Sequence, residues 1–447
     1  MTMSDDPPRN DTLTAGLAAL LSAKPITAAD REAAALFVLD AIANAIGGRR
    51  TAPGRILTGW AAAEPRDTAG RAFVMGALTH ILEVDDLHRG SVVHPGCVVV
   101  PAALALGSRL EIGGHGFLDA VLWGFEAACR VGLGVGPGHY RIWHNTATCG
   151  PYGSAAAAGK LLGLSAPALV DAFGNAGSQS SGLWQFMASG AMTKHLHAGH
   201  AASAGLLAAD LASRGFSGPP AILEGEKGFF RAACPDAVPE NVLADPAGPW
   251  ALTQTSIKPW PSCRHTHPAI DAALELHGRI AGRAIEAVAV ETYPAALDVC
   301  DRPAPETPYE AKFSLHHCVA AALNDGHVDF ASFEAEARNR HAPLRARVRL
   351  AATAEFTAAY PAAWGSAVTV TLEGGETLGG VTLTARRAHA LGDPEAPLSR
   401  EAMIDKALML MTTGGLGRAL AGRLCAGILA FADDGPLPDL APFFGLA

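Results

Sequence analysis

Three histidines and three carboxylates lie within one short stretch, His80 to Pro101, which reads HILEVDDLHRGSVVHPGCVVVP. Histidine titrates near neutral pH, so imidazoles beside carboxylates are suited to moving protons and binding anions. Apolar helical patterns precede and follow the stretch, which predicts a polar loop between two helices. A solvated interhelical loop is the alternative reading, but a loop that is only kept soluble has no use for three imidazoles.

Three other stretches add polar side chains. GHYRIWHNTATCG precedes a helix predicted from Pro151 to Leu162, and GAMTKHLHAGH leads into a helix predicted from Ala198 to Ser213. A lysine near a helix start opposes the macrodipole, which favours anions there, so Lys194 is expected to meet a carboxylate ligand. The third stretch, SIKPWPSCRHTHP, is held extended by its prolines and carries Lys258, Cys263 and Arg264.

Hydrophobic periodicity predicts a mainly α chain with an α+β second domain. Helices are expected at 13–23, after an N-cap at Thr27, at 53–63, and again at 400–411 and 416–431. AIEAVAVETYP, VRLAATAEF and AVTVTLEGGETLGGVTLTA are predicted to form a strand, a strand and a β-hairpin. We therefore expect an all-helical domain from residues 1–267 together with 396–447, and an α+β domain over 268–395.

The composition excludes several classes of protein. With 34 basic and 43 acidic residues the net charge is −9, which argues against a general nucleic-acid or anionic-membrane surface. The eight cysteines contain no CxxC pair, which favours a reducing, cytoplasmic location over a disulfide scaffold or a cysteine metal site. The acidic, polar N-terminus is not typical of a secretory signal, and no apolar run predicts a membrane span.

Pooled, these stretches gather cations and bases in an acidic protein, as expected for a site that binds a small polyanion. The set is Asp85, Asp86, His88, Arg89, His94, His144, Lys194, His197, Lys258 and Arg264. Abstraction of a proton next to a carboxylate gives a dianion that lysine and arginine stabilise in a dry site. Dehydration, epimerisation and protonation after loss of CO2 all remain open from that intermediate.

The chain resembles the MmgE/PrpD family. The matching segments are EVDDLHRGSVVHPG, GHYRIWHNTATCG, GAMTKHLHAGHAASAGLLAADLASRGFSGP with ILEGEKGF, and IKPWPSC with AKFSL. They occur in family order over nearly the whole chain. The family includes enzymes that dehydrate 2-methylcitrate, epimerise iminodisuccinate and decarboxylate cis-aconitate.

The resemblance implies a large helical domain with a smaller α+β lid, a cofactor-free reaction without a metal, a homodimer, and a small di- or tricarboxylate as substrate. Lys194 and Lys258 are expected to bind substrate carboxylates, His94 and His144 to transfer protons, and Asp86 to orient a histidine or Lys194. Further substrate-binding positions are expected at the following residues: Glu83, His88, Arg89, Tyr140, His197, Cys263, Arg264 and His317.

Some positions depart from the family pattern. Members that decarboxylate cis-aconitate carry Asp, Thr, His and Tyr where this chain has Glu83, Leu87, Cys263 and His317. The sequence therefore predicts a cofactor-independent lyase or isomerase, either a dehydratase or an epimerase, with decarboxylation as the alternative. Two other classes stay open: a metal-dependent hydrolase using Asp85, Asp86, His88 and His94, and a non-catalytic carboxylate-binding protein.

Overall fold

The computed structural model describes residues 9–373 and 381–446. Its contacts divide the chain into two compact units. The first unit comprises Met1–Ile257 and Ser399–Ala447, and the second comprises Lys258–Leu398.

The first unit is helical, with short 3₁₀ turns between some of its helices. Its first eleven helices are α1 (Leu13–Ala23), α2 (Ala28–Gly48), α3 (Ala52–Ala63), α4 (Thr68–Thr79), α5 (Gly96–Leu110), α6 (Gly114–Gly134), α7 (Pro137–Tyr140), α8 (Asn145–Leu161), α9 (Ala166–Gly177), α10 (Thr193–Ala212) and α11 (Phe229–Ala233). The predicted helix at 13–23 is confirmed, and Thr27 caps α2 in a reciprocal capping box with Asp30.

The second unit combines helices with a mixed sheet. Its elements are α12 (His267–Ile280), β1 (Ile285–Thr292), α13 (Pro294–Cys300), α14 (Pro308–Lys312), α15 (Leu315–Asp325), α16 (Ala335–Arg340), α17 (Ala342–Arg345), β2 (Val348–Ala352), α18 (Ala354–Ala359), β3 (Ser366–Leu372) and β4 (Val381–Arg387). The sheet order is β2-β1-β3-β4, with β1 parallel to β2 and antiparallel to β3.

One face of this sheet packs against α12, and an apolar core runs from α12 and α15 to the inward residues of β1 and β3. The predicted strands and hairpin are present, and the turn of the hairpin lies outside the described residues. The chain then returns to the first unit as α19 (Arg400–Thr413) and α20 (Arg418–Leu429). The prediction of a mainly α protein with an α+β region is confirmed.

Helices α8 and α10 lie at the centre of the first unit, where they pack against each other and against α4, α5, α6 and α9. Small residues allow close approach: a Cβ on Gly153 of α8 would lie 2.8 Å from the carbonyl oxygen of Gly124 in α6. A Cβ on Gly205 of α10 would lie 2.1 Å from the Pro151 carbonyl oxygen. The alanine and glycine content of the chain therefore serves backbone-to-backbone packing.

Two predicted helix boundaries are wrong. Helix α8 begins at Asn145 rather than at Pro151, and α10 begins at Thr193 rather than at Ala198. A proline inside a helix removes one hydrogen bond, a loss that dense packing of the buried first turns of α8 offsets. Both extensions move predicted site residues from loops onto helix starts.

In the described part of the chain, no helix combines the length and the apolar character needed to cross a lipid bilayer.

Lys24, Glu126 and Arg130 form a buried charge network that links the end of α1 and helix α6 to residues 242–251. Both Lys24 and Arg130 donate to one oxygen of Glu126 at 2.6 Å, while the other oxygen accepts the Ala251 N–H at 2.7 Å. Arg130 also donates to the carbonyls of residues 242, 244 and 245. Glu126 thus balances two cations in a place that water does not reach.

We predict that Glu126→Gln lowers the free energy of unfolding by about 3–5 kcal/mol, because two buried cations lose their shared anion. The matched control is Glu275→Gln, since Glu275 also binds two arginines, Arg279 and Arg387, but is exposed. The control is expected to cost less than about 1 kcal/mol. Urea denaturation measures both, and equal losses would contradict the prediction.

Candidate active site

The polar stretch of the sequence forms a loop, residues 80–95, between α4 and α5. All residues from 81 to 89 are buried, so the reading of a solvated interhelical loop is wrong. Two non-glycine residues, Glu83 and Val92, have positive φ values of 62° and 53°. Such conformations cost energy, especially for a β-branched residue, and persist only where the surroundings hold them.

Distant parts of the chain hold this loop. Leu87 and Ser256 exchange both backbone hydrogen bonds, at 2.9 and 2.8 Å. Lys406 of α19 donates its ammonium to the Val84 carbonyl at 2.7 Å. The loop is therefore fixed by groups that follow it by well over a hundred residues.

Lys194 is the second residue of α10 and forms a buried ion pair with Glu83 of the loop. Its ammonium lies 2.6 Å from both carboxylate oxygens. Lys194 and Glu83 are only 6% and 2% exposed. The unfavourable position of a lysine at a helix N-terminus is thus compensated by the carboxylate of Glu83. The sequence had predicted that a ligand carboxylate takes this place.

Four histidines gather around this pair in the first unit. The ring of His80 stacks on His144 with centroids 5.6 Å apart and meets the edge of His94 at 4.7 Å. The Nδ1 atoms of His144 and His197 are 3.4 Å apart, and the Trp184 ring covers His144 at 4.7 Å. His94 is the most exposed of these four histidines: 12% of its side chain is exposed, whereas the other three are buried.

The surroundings keep several of these imidazoles neutral. Burial, followed by the charges of His80 and Lys194, holds the pKa of His144 well below its usual value. Burial also lowers the pKa of His197 to about 4, and that of His195 to about 4. At neutral pH these rings therefore act as hydrogen-bonding groups rather than as cations.

Several buried polar atoms in this region have no hydrogen-bond partner within the described chain. They are Nε2 of His80, Nε2 of His144, Nε1 of Trp184 and Nδ1 of His195. A buried polar atom left unsatisfied costs about 1–3 kcal/mol, so a cluster of them points to a ligand or ordered water.

The two adjacent aspartates of the loop have different contacts. Both oxygens of Asp86 accept the N–H of Gly96, at 3.1 and 3.0 Å, so Asp86 caps the first turn of α5. Asp85 points to the histidines, at 2.6 Å from His80 Nδ1 and 3.6 Å from His94 Nδ1. His94 Nδ1 is also hydrogen-bonded to the Asp86 carbonyl, which leaves Nε2 as the basic nitrogen of the neutral ring.

Three other predicted residues lie in this unit. Nδ1 of His88 accepts the Ser91 N–H at 3.2 Å, so His88 holds the turn of the loop. Arg89 is buried beside it and helps lower the pKa of His88. Tyr140 ends α7 and meets Trp184 edge to face at 5.3 Å, which brings it to the histidine cluster.

The remaining predicted residues belong to the second unit, of which Lys258 is the first residue. The Arg264 guanidinium binds Asp393 and donates to His267 at 2.9 Å and to the Leu391 carbonyl at 3.2 Å. His317 is buried and donates Nε2–H to the Ser332 carbonyl at 2.8 Å. The half-buried Cys263 donates its N–H to the Lys312 carbonyl at 2.9 Å.

Potential metal ligands come within 4.8 Å of one another in two groups of the described residues, His80–Asp85–Cys97 and His389–Asp393–Glu395. In the first group, His80 already binds Asp85 and the Cys97 thiol donates to the His94 carbonyl at 3.2 Å. In the second, Asp393 binds Arg264. The four ligands of the hydrolase hypothesis do not form such a group in the described chain.

Comparison with known families supports the architecture. The MmgE/PrpD N-terminal domain matches residues 14–241, and the MmgE/PrpD C-terminal domain matches residues 260–418. This chain belongs to the MmgE/PrpD family.

Curated relatives of this MmgE/PrpD chain include cis-aconitate decarboxylases. The mouse protein is 29% identical over 362 residues, which cover 75% of this chain and 70% of the relative. The Aspergillus terreus protein is 31% identical over 222 residues, 46% of this chain and 45% of the relative. The human protein is 30% identical over 277 residues, 59% of this chain and 56% of the relative. The matched regions thus span about half the length of the fungal and human relatives.

Sequence reasoning missed two members of the cluster in this MmgE/PrpD chain, His80 and Trp184. His80 belongs to the polar stretch but was not selected, and Asp85 entered the pooled set and the metal hypothesis without a role in proton transfer. Trp184 reaches His144 because residues 182–184 pair with residues 142–144. The position of Trp184 depends on this non-local pairing, which the sequence does not show. His80, in contrast, lies in the polar stretch and could have been selected.

We predict that Glu83→Gln destabilises the protein by about 3–5 kcal/mol, because the buried Lys194 ammonium loses the carboxylate that binds it. Adding Lys194→Met to Glu83→Gln is expected to recover a large part of that loss, since the uncompensated charge is removed. Denaturation of the wild type, both single variants and the double variant gives the coupling. Additive losses would show that the two side chains do not form a pair.

His88 gives a pH-dependent prediction. Burial, with a smaller effect of Arg89, lowers the pKa of His88 from 6.5 to about 4. The unfolded chain therefore binds the extra proton first, and this histidine contributes stability above pH 6.5 that is lost as the pH falls towards 4. The full contribution corresponds to about 3 kcal/mol.

Replacement His88→Asn keeps an acceptor near the Nδ1 position and removes the titration. We expect a shallower fall of Tm between pH 6.5 and 4.5 than in the wild type. Replacement of the exposed His327 by Asn is the matched control and should leave that slope unchanged. Parallel slopes for wild type and His88→Asn would contradict the prediction.

Proposed function

We propose that this protein is a cofactor-independent lyase or isomerase that forms a carbanion next to a carboxylate of a small di- or tricarboxylate. The observation that supports it most is the group of buried imidazoles with unpartnered nitrogens beside the Lys194–Glu83 ion pair. Such a group offers bases and hydrogen-bond donors in a dry place, where they act most strongly on developing charge.

The geometry favours distinct roles for the histidines. His94 is the proposed base, because its Nδ1 is held by a backbone carbonyl and its side chain is partly exposed. His144 is neutral at pH 7, so it is suited to donating a hydrogen bond to the substrate carboxylate as charge develops there. Lys194 supplies positive charge at that place, and Glu83 fixes the position of its ammonium.

Two outcomes of the carbanion remain the leading candidates. Loss of a β-hydroxyl group gives dehydration, and return of the proton to the opposite face gives epimerisation. Lysine-bound carboxylates and a base are needed for both, so the site residues do not separate them.

A second candidate reaction is decarboxylation of cis-aconitate, which the names of the relatives favour. In that reaction the C–C bond to a carboxylate breaks, CO2 leaves, and the carbanion takes a proton from the protein. The groups that stabilise a carbanion formed by proton abstraction also stabilise one formed by loss of CO2. A non-catalytic carboxylate-binding protein is the alternative from another class, and it predicts ligand-dependent stabilisation without turnover.

We predict enzyme-dependent chemistry when citrate, 2-methylcitrate, cis-aconitate, malate, tartrate and iminodisuccinate are incubated with the protein in D2O and followed by proton NMR. Exchange of a proton next to a carboxylate, or a new product, is the expected result. The product separates dehydration from epimerisation, and formation of CO2 with deuterium incorporation identifies decarboxylation. A chelator added to the same reaction tests the metal hypothesis.

Replacement of His94 by Gln and of Lys194 by Met should each lower the rate at least about 10²-fold, because a base or a charge next to the reacting carboxylate is lost. His115→Gln is the control, since His115 lies at the start of α6 and binds the Ala432 carbonyl. Unchanged rates in both site variants would refute the assigned roles. Binding of a compound without exchange or turnover would identify a binding protein.

A further inference from the structure

His80 and Asp85 form a buried pair that the proposed roles leave unused. His80 follows the last residue of α4, its side chain is fully buried, and its Nδ1 lies 2.6 Å from an Asp85 oxygen. Asp85 is itself only 1% exposed. A short contact between an imidazole and a carboxylate in such a place is a charge-assisted hydrogen bond.

This contact fixes which nitrogen of His80 faces the cluster. Because Nδ1–H is donated to Asp85, Nε2 is the atom left to exchange a proton or a hydrogen bond. Nε2 is buried and has no partner in the described chain. The ring stacks on His144 and touches the edge of His94, so it lies among the groups that the proposed reaction uses.

A reaction that removes one proton and delivers another is served by two groups, one that is neutral and one that is protonated. His144 is neutral rather than positively charged at neutral pH, since burial holds its pKa well below the usual range, so it is not suited to act as an imidazolium acid. His80 instead has the Asp85 carboxylate within hydrogen-bond distance of its Nδ1. The same Asp85 oxygen lies 3.6 Å from His94 Nδ1, so one carboxylate serves both imidazoles.

We propose that Asp85 is a positioning residue and that His80, with a proton on Nε2, is the proton donor that acts beside His94 in the reaction of this site. In dehydration, His94 takes the proton from carbon, and the C–H electrons stay as a carbanion stabilised by the neighbouring carboxylate. As the C–O bond breaks, these electrons form the double bond, and the hydroxyl group takes the Nε2 proton of His80 and leaves as water.

This inference rests on the proposed function for its chemistry, but its central contact is testable without any substrate. Proton NMR of the full chain with ¹⁵N-labelled histidine should show a low-field Nδ1–H resonance from the His80–Asp85 hydrogen bond. Asp85→Asn, which keeps the shape and removes the charge, should abolish it. His80→Gln assigns the signal, because it removes the ring itself.

Activity provides the second readout, on whichever compound the wild type converts. Asp85→Asn should lower kcat at least about 10²-fold with little change in KM, because it disturbs proton delivery rather than substrate binding. Asp85→Glu should restore part of kcat. Asp86→Asn is the comparison for stability: it should lower Tm by weakening the cap of α5 while the low-field resonance remains.

The two proposals fail separately. Absence of the resonance in the wild type, or its persistence in Asp85→Asn, would overturn the His80–Asp85 pair whatever the activity. Full kcat in Asp85→Asn would overturn its role in proton transfer. If no compound is converted by the wild type while the resonance behaves as expected, the pair stands and the proposed function is what fails. Should Asp85→Asn not fold, His80→Gln provides both readouts, since it is expected to lack the resonance and to lose kcat.

Discussion

The ion pair between Glu83 and Lys194 is the constraint on which the arrangement of the site depends. It joins a loop that departs from regular structure to the first turn of a central helix, in a place closed to water. Neither partner tolerates burial alone, because an uncompensated charge in the interior costs several kcal/mol. The left-handed conformation of Glu83 is thus held by an ion pair whose loss would leave a buried charge uncompensated. The histidines gather around a position fixed in this way.

The same logic extends to the rest of the loop. Its polar groups are buried, so each needs a partner, and several of the partners come from distant parts of the chain. Asp86 meets the start of α5, Val84 meets α19, and Leu87 pairs with Ser256. The site is therefore rigid for a reason that is distinct from apolar packing: breaking any one of these contacts leaves a buried polar group unsatisfied. Pre-organised groups of this kind stabilise developing charge without first having to reorient.

The sequence was informative where local rules decide the structure. The Thr27 N-cap, the strands of the second unit and the polar loop between α4 and α5 were all predicted, because caps and periodicity depend on neighbouring residues. The predicted starts of α8 and α10 were wrong: α8 continues N-terminal to Pro151, where dense packing offsets the lost hydrogen bond, and α10 begins at Thr193. The partner of Lys194 could not be found, because Glu83 is 111 residues away. Which of two adjacent aspartates faces the histidines depends on loop conformation, and sequence spacing does not encode it.

The hydrogen bond from Lys406 to the Val84 carbonyl spans 322 residues of chain. During synthesis on the ribosome, the loop therefore exists long before the ammonium that completes its support. The second unit, Lys258–Leu398, lies wholly between them in the order of synthesis. Contacts of such separation are slow to form, because the chain between them must first be ordered. The loop at residues 80–95 thus lacks one of its supports until α19 has been made, so an incomplete nascent chain carries the residues of the candidate site without that contact.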